Sequence, residues 1–352
     1  MQYSRLGNSG LVVSRVAFGV MTFGQGTGVQ AAVSKTGQEE ANILVQRSLD
    51  AGINFFDVAD AYANGQSETM LGKALGDRRK DVILSTKVGF RSGQAITHAG
   101  ASYGYLLHAT EACLRRLGTD YVDLLSIHKP DPFTPLEESA RALENLVQRG
   151  LVRYVGFSNF SAWQAAKFVG IQKRHNYSPF VGAQMYYSLL GRDLEYEIVP
   201  FCEDAGIGVV VWSPLAGGFL TGRYTRENPK ADGRLAGFDI LPYDREKAYG
   251  LIDQLRAIAG KRNATIAQVA LAWLLAKRYV TTILLGASKV SQLEDNLGAA
   301  DVKLSPEEVA VLDSATASQP IYPNWFQLRT VDPMVSKALK DETASPATET
   351  KA

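Results

Sequence analysis

A chain of 352 residues with 46% apolar and 21% charged side chains has ordinary globular composition, which excludes a disordered or fibrous protein. Its formal charge is +1, from 37 basic and 36 acidic residues with no long basic run, so a nucleic-acid partner is not expected. The two cysteines, Cys113 and Cys202, have no metal-like spacing to the four histidines, so neither a disulfide framework nor a metal site is expected.

Residues 1–5 are polar and lack the layout of a signal peptide, and the apolar stretches 206–212 and 265–276 are too short to cross a bilayer. The expectation is a cytoplasmic protein that meets no membrane. Residues 2–5 and 11–13, around a turn at 7–10, predict a small hairpin placed to close a barrel floor. Eight short β-branched or aromatic runs follow, at 16–18, 54–57, 82–86, 124–128, 154–157, 181–184, 208–212 and 282–285. They hold few internal polar residues, as strands buried on both faces do.

Stretches of helical period lie between them, among them 38–51, 105–117, 136–148, 161–168 and 265–277, with glycine stops at Gly52, Gly118, Gly150 and Gly206. Strand ends recur every 30 to 40 residues or so, the length of one strand plus one helix. The reading is an α/β protein, a (β/α)8 TIM barrel in a single domain over 1–332 with a partly disordered tail over 333–352. An open doubly wound sheet would carry G-x-G-x-x-G after its first strand, and none is there. The segments 90–104, 216–245 and 319 onward are too long for simple connectors. Residues 341–352 are polar and without an apolar face, so disorder is expected there.

In such a barrel, reactive groups come from the carboxyl ends of the strands. Asp57, Lys87 and His128 each end an apolar run, and Tyr62 follows in the loop after the first of these. Carbonyl reduction by hydride needs a proton delivered to the oxygen, and a phenol is a poor acid until a cation lies beside it. Lys87 supplies the cation, Asp57 keeps it charged, and His128 orients the substrate oxygen. Taken singly, each residue also fits a structural ion pair, a core histidine or a packing tyrosine; their joint placement on successive strand ends favours chemistry.

Phe55-Phe56-Asp57-x-Ala59-x-Ala61-Tyr62, Ser85-Thr86-Lys87, Ile127-His128-x-Pro130-Asp131, Gly156-Phe157-Ser158-Asn159, Ala183-Gln184 and the run from Trp212 to Gly222 resemble the aldo-keto reductase superfamily over residues 1–330, and are also similar to potassium-channel β subunits. The resemblance implies a tetrad of Asp57, Tyr62, Lys87 and His128 acting with NADP(H) on a small-molecule carbonyl or alcohol. It implies that Ser158, Asn159 and Gln184 hold the nicotinamide carboxamide and that the ring stacks on Trp212. Ser213, Pro214, Leu215 and Gly217 would bind the cofactor, and Arg223 and Arg234 would reach its pyrophosphate. Gly286, Ser288, Lys289, Gln292, Asp295 and Asn296 would form the adenosine site, with Ser288 and Lys289 suited to the 2′-phosphate of NADP.

Two departures stand out. Gly19-Val20-Met21 replaces the Gly-Thr-aromatic run of many relatives, so cofactor contact there rests on backbone and Met21. Ser102-Tyr103-Gly104-Tyr105 replaces a charged helix start. The expected substrate walls are Phe23, Tyr62, Phe90, Tyr322 and Trp325. A regulatory or redox-sensing subunit is the alternative reading.

Overall fold

The computed structural model describes residues 1–229, 233–319, 321–330 and 332–339. It divides into two compact units, Met1–Ala317 and Ser318–Ala352. In the first, β1 (Tyr3–Arg5) and β2 (Val12–Ser14) pair antiparallel. The eight expected runs become β3 (Val16–Gly19), β4 (Phe55–Asp57), β5 (Ile83–Val88), β6 (Val122–Ile127), β7 (Val152–Ser158), β8 (Phe180–Tyr186), β9 (Gly208–Trp212) and β10 (Val280–Leu285). All pair parallel in chain order, and β10 closes on β3, giving a closed barrel. Helices Gln38–Asp50, Tyr103–Leu117, Leu136–Gln148 and Ile266–Leu275 lie within two residues of the predicted bounds. Ala162–His175 runs seven residues past 168, because Gly170 meets nothing that breaks the helix and Asn176, at φ +53°, ends it instead.

The period of two along each strand decides which side chains enter the lumen. Phe55, Leu124 and Val210 pack inward with Leu6, Leu11 and Val13 of the hairpin segment, whereas Phe56, Leu125, Val209 and Val211 face the helices. The same parity carries Asp57, Lys87 and Trp212 inward at the carboxyl ends.

The hairpin closes the opposite end: Asn8 donates its backbone N–H to the Gly206 carbonyl at 2.7 Å, and Leu6 is fully buried. Gly7 sits at φ +57°, and a Cβ there would lie 2.5 Å from the Gly206 oxygen. Gly7→Ala is therefore expected to cost roughly 2–4 kcal/mol, from strain and a backbone clash together, read as a lower urea midpoint at unchanged slope.

The second unit holds helices Asn324–Arg329 and Pro333–Ala338. Residues 333–338 thus form a helix where a tail is expected: Asp332 accepts from the N–H groups of Met334 and Val335, and Pro333 fixes the first turn. Residues 341–352 lie outside the described residues. Among the described residues no helix is long and apolar enough to cross a membrane.

Candidate active site

Asp57 ends β4 and Lys87 is the last residue but one of the neighbouring β5, and the two form an ion pair of 2.5 Å, with side chains 2% and 0% exposed. A buried pair is costly unless its remaining hydrogen-bonding capacity is met, and here it is. Asp57 Oδ2 accepts from Ser85 Oγ and from Gln184 Nε2, each at 2.9 Å, the second bond crossing the lumen from β8. Lys87 Nζ also donates to the Val58 carbonyl at 2.6 Å and lies 5.1 Å from the Tyr62 ring centre. Burial pulls the lysine pKa down, but Asp57 and then Tyr62 outweigh it, so Lys87 stays an ammonium above its ordinary range.

Tyr62 comes from a turn that leaves β4 and is bonded back to β5: Val58 N donates to the Ser85 carbonyl at 2.9 Å and Asp60 N to the Lys87 carbonyl at 3.0 Å. Ala63 and Asn64 adopt φ +46° and +54°, and Gly65 follows at +86°. Gln30 brackets the turn, its Nε2 donating to the Ala61 carbonyl at 2.9 Å and its Oε1 accepting from Ala63 N at 2.8 Å. Sequence reasoning missed Gln30, since no local pattern links it to residues 31 and 33 positions away. Burial raises the phenol pKa above 10 and the Lys87 ammonium opposes that only in part, so the expected activation of Tyr62 by its cation is partial.

His128 follows β6, its N–H held by the Val88 carbonyl at 2.8 Å. Its ring stands edge-on to Tyr62 at 5.9 Å and to Phe90 at 4.6 Å. Burial, then Lys87 and Lys129, push its pKa well below the ordinary value, so the imidazole is neutral. A neutral ring keeps one N–H to give to an oxygen. Its Nδ1 is buried without a partner among the described residues.

Beside them Ser158 Oγ donates to the Gln184 carbonyl at 2.7 Å, Asn159 Nδ2 to the His128 carbonyl at 2.9 Å, and Trp212 Nε1 to Asn159 Oδ1 at 3.1 Å. Tyr186, not singled out from sequence, packs against Trp212 at 5.1 Å. Its signal was the same inward parity that marks Gln184.

After β9 the turn is tight: Ser213 Oγ accepts from Gly217 N at 3.0 Å, Pro214 is buried, and Gly218 N donates to the Leu215 carbonyl at 2.9 Å. A Cβ on Gly217 would lie 2.7 Å from Leu235, so the returning segment packs directly on this turn. That segment carries Arg234 inward, with Nη2 3.9 Å from Met21 Sδ and Nε buried without a partner among the described residues. Arg223 stays exposed. Gly19 ends β3, and Val20 donates its N–H to the Asp57 carbonyl at 3.0 Å.

Beyond β10, exposed Gly286 leads to Ser288, whose N–H and hydroxyl both donate to Gln292 Oε1 at 3.0 and 3.2 Å. Lys289 is exposed and precedes helix Val290–Leu297. Asp295 is engaged by Thr265 Oγ1 at 3.3 Å and Gln268 Nε2 at 3.2 Å, which ties it to the start of the neighbouring helix, and Asn296 is buried.

Of the expected walls, Phe90 and Tyr62 stand at the site. Phe23 does not: it is fully buried in the core, edge-on to Phe18 at 6.0 Å, because it lies under the first loop and not in the lumen. Tyr322 and Trp325 belong to the second unit, where their rings lie 6.1 Å apart. Among the described residues no group of His, Cys, Asp and Glu is arranged to hold a metal.

Residues 15–317 match the model of the Aldo/keto reductase family. The chain is similar to a probable voltage-gated potassium channel subunit beta of Oryza sativa subsp. japonica, at 36% identity over 91% of this chain and 98% of the relative. It is also similar to the Arabidopsis thaliana protein of the same description, at 36% over 93% and 100%. Versiconal hemiacetal acetate reductase of Aspergillus parasiticus is 33% identical over 92% of this chain and 99% of its own length.

Proposed function

This chain belongs to the aldo/keto reductase family, and from that membership we propose that it is an NADPH-dependent carbonyl reductase interconverting aldehydes or ketones and their alcohols. The observation that carries the proposal is the meeting of a half-buried phenol, an ammonium held by a carboxylate, and a neutral imidazole at the carboxyl end of one barrel.

The polar groups along the rim suit an extended dinucleotide. Gln184 gives one amide hydrogen to Asp57, and its oxygen has no partner among the described residues. Arg234 presents a part-buried guanidinium whose Nε is unpartnered among the described residues, and exposed Lys289 is in no ion pair among them. Ser158, Asn159 and Gln184 would hold the carboxamide, with Trp212 under the ring. Residues Ser213 to Gly217, Arg223 and Arg234 would meet the pyrophosphate, with Gly19, Val20 and Met21 alongside. Gly286, Ser288, Lys289, Gln292, Asp295 and Asn296 would frame the adenosine. NADPH, when bound, supplies the hydride.

The protein's own residues do the rest. Tyr62 gives its proton to the carbonyl oxygen in reduction and takes it back in oxidation. Lys87 places a fixed positive charge beside the oxygen as its charge grows, and Asp57 prevents that charge from being lost. The neutral His128 donates a hydrogen bond to the same oxygen, and Phe90 forms an apolar wall. The two free, buried cysteines suit a reducing compartment, and we place the protein in the cytoplasm.

Incubation with NADPH and a panel of aldehydes and ketones tests the reading at the cofactor absorbance band. Steady multiple turnovers are expected. Kinship with proteins described as potassium channel β subunits favours a second reading, a redox-sensing subunit, for which tight NADPH binding with a single oxidation per chain would speak. Lys289→Glu is expected to weaken NADPH by about 10–100-fold, as loss of a charge-assisted phosphate contact does, and NADH by under about threefold. Fluorescence titration checks it; an equal loss for both would move the 2′-phosphate contact elsewhere.

A further inference from the structure

The turn that carries Tyr62 also carries a carboxyl group the chemistry does not use. Asp60 is 3% exposed, and neither of its oxygens accepts a hydrogen bond from a side chain among the described residues. Asp57, equally buried, takes three donors. Glu68, fully buried, takes Thr86 Oγ1 at 2.7 Å and Arg116 Nε at 2.6 Å. Arg116 is thus engaged by Glu68 and Lys87 by Asp57, so three buried carboxyls share two cations. The remaining titratable groups facing Asp60 come from helix Tyr103–Leu117 and bring no charge: the Cys113 thiol, which burial keeps protonated, and the Tyr105 phenol, which donates to the Phe90 carbonyl at 2.7 Å.

We propose that Asp60 is a positioning residue for the proton donor: the turn that places Tyr62 against Lys87 closes over a carboxyl for which it provides no side-chain donor, and a charge formed there loosens that turn. The turn has little slack. Asp60 N is bonded to the Lys87 carbonyl, and the Arg116 stem lies across Gly65 so closely that a Cβ there would be 2.6 Å from Arg116 Cδ. A charge in this space must be hydrated or displaced, and Tyr62 is two residues away.

Burial, then repulsion from Glu68, push the Asp60 pKa up to about 7, against weaker pulls from Arg116, the Ala61 backbone N–H and Lys87. An aspartate in an unfolded chain ionises near 3.8. Between these values the folded chain binds the extra proton, so rising pH removes stability through that window and the full penalty stands above about 7. Asparagine mimics the neutral acid and does not titrate.

Two readouts test this, of which only the first rests on the reductase reading: kcat for carbonyl reduction from pH 6 to 9, and Tm from pH 5 to 8.5, for wild type and Asp60→Asn. Wild-type kcat is expected to fall at least threefold, breaking near pH 7, far below any loss of the Tyr62 proton, whereas Asp60→Asn shows no such break. The Tm of Asp60→Asn relative to wild type is expected to rise with pH. Parallel kcat profiles, or a Tm difference that does not change with pH, overturn the proposal. Should Asp60→Asn fail to fold, Glu68→Gln serves: removing the neighbouring charge moves the wild-type break to lower pH, and a break that stays in place overturns it. A wild type that turns over no carbonyl refutes the reductase reading, and the Tm series then decides the role of Asp60 alone.

Discussion

Tyr62→Phe is expected to lower kcat for carbonyl reduction by about 10²–10⁴-fold, the range for loss of a positioned general acid, while the NADPH dissociation constant changes less than about twofold. The reason is geometric. The Tyr62 ring faces Lys87 and the edge of His128, whereas the groups suited to the carboxamide, Ser158, Asn159 and Gln184, are bonded to one another, to the His128 carbonyl and to Asp57 without involving the phenol. Removing one hydroxyl leaves Lys87 held by Asp57 and Val58, so the fold and the platform should persist. Stopped-flow reduction and fluorescence titration on one preparation separate the two effects. Comparable losses in both would mean that the hydroxyl supports the cofactor site and not the proton transfer.

Lys87→Met should do more damage and of a different kind. It removes the only cation bonded to Asp57 among the described residues and leaves that carboxylate, 2% exposed, with Ser85 and Gln184 alone. Stranding one partner of a buried ion pair typically costs about 3–5 kcal/mol, so a clear drop in Tm is expected together with loss of turnover. The double variant Asp57→Asn, Lys87→Met separates the causes. Because no charge is stranded in it, much of the stability should return, while activity stays absent because the ammonium beside Tyr62 is gone. If the double variant is no more stable than Lys87→Met, the pair contributes through packing and not through charge.

The barrel was legible because each strand is a short apolar run of fixed spacing closed by a turn, so both the unit and its repeat lie in local sequence. The strand ends were legible for the same reason: the period of two that buries Phe55 carries Asp57 to the same face. Contacts that join distant segments were not. Gln30 reaches the Tyr62 turn from the loop before the first barrel helix, and Arg116 reaches Glu68 across Gly65 from a helix on the outside of the barrel, neither foretold by any run or motif. Phe23 was misplaced because a loop aromatic between two apolar stretches fits a pocket wall and a core filler equally well in sequence. Asp295 falls where an adenine contact is expected, but the capping pair Thr265 and Gln268 competes for its oxygens, which only the packing of two helices reveals.

The most direct test of hydride delivery beside Tyr62 uses NADPH carrying two deuterium atoms at C4, mixed with the protein and an excess of aldehyde. Many cofactor molecules should be oxidised per chain, each yielding an alcohol with one deuterium on its carbinol carbon, and Tyr62→Phe should slow that labelling. An unlabelled alcohol, or labelling as fast in Tyr62→Phe as in wild type, would contradict the account.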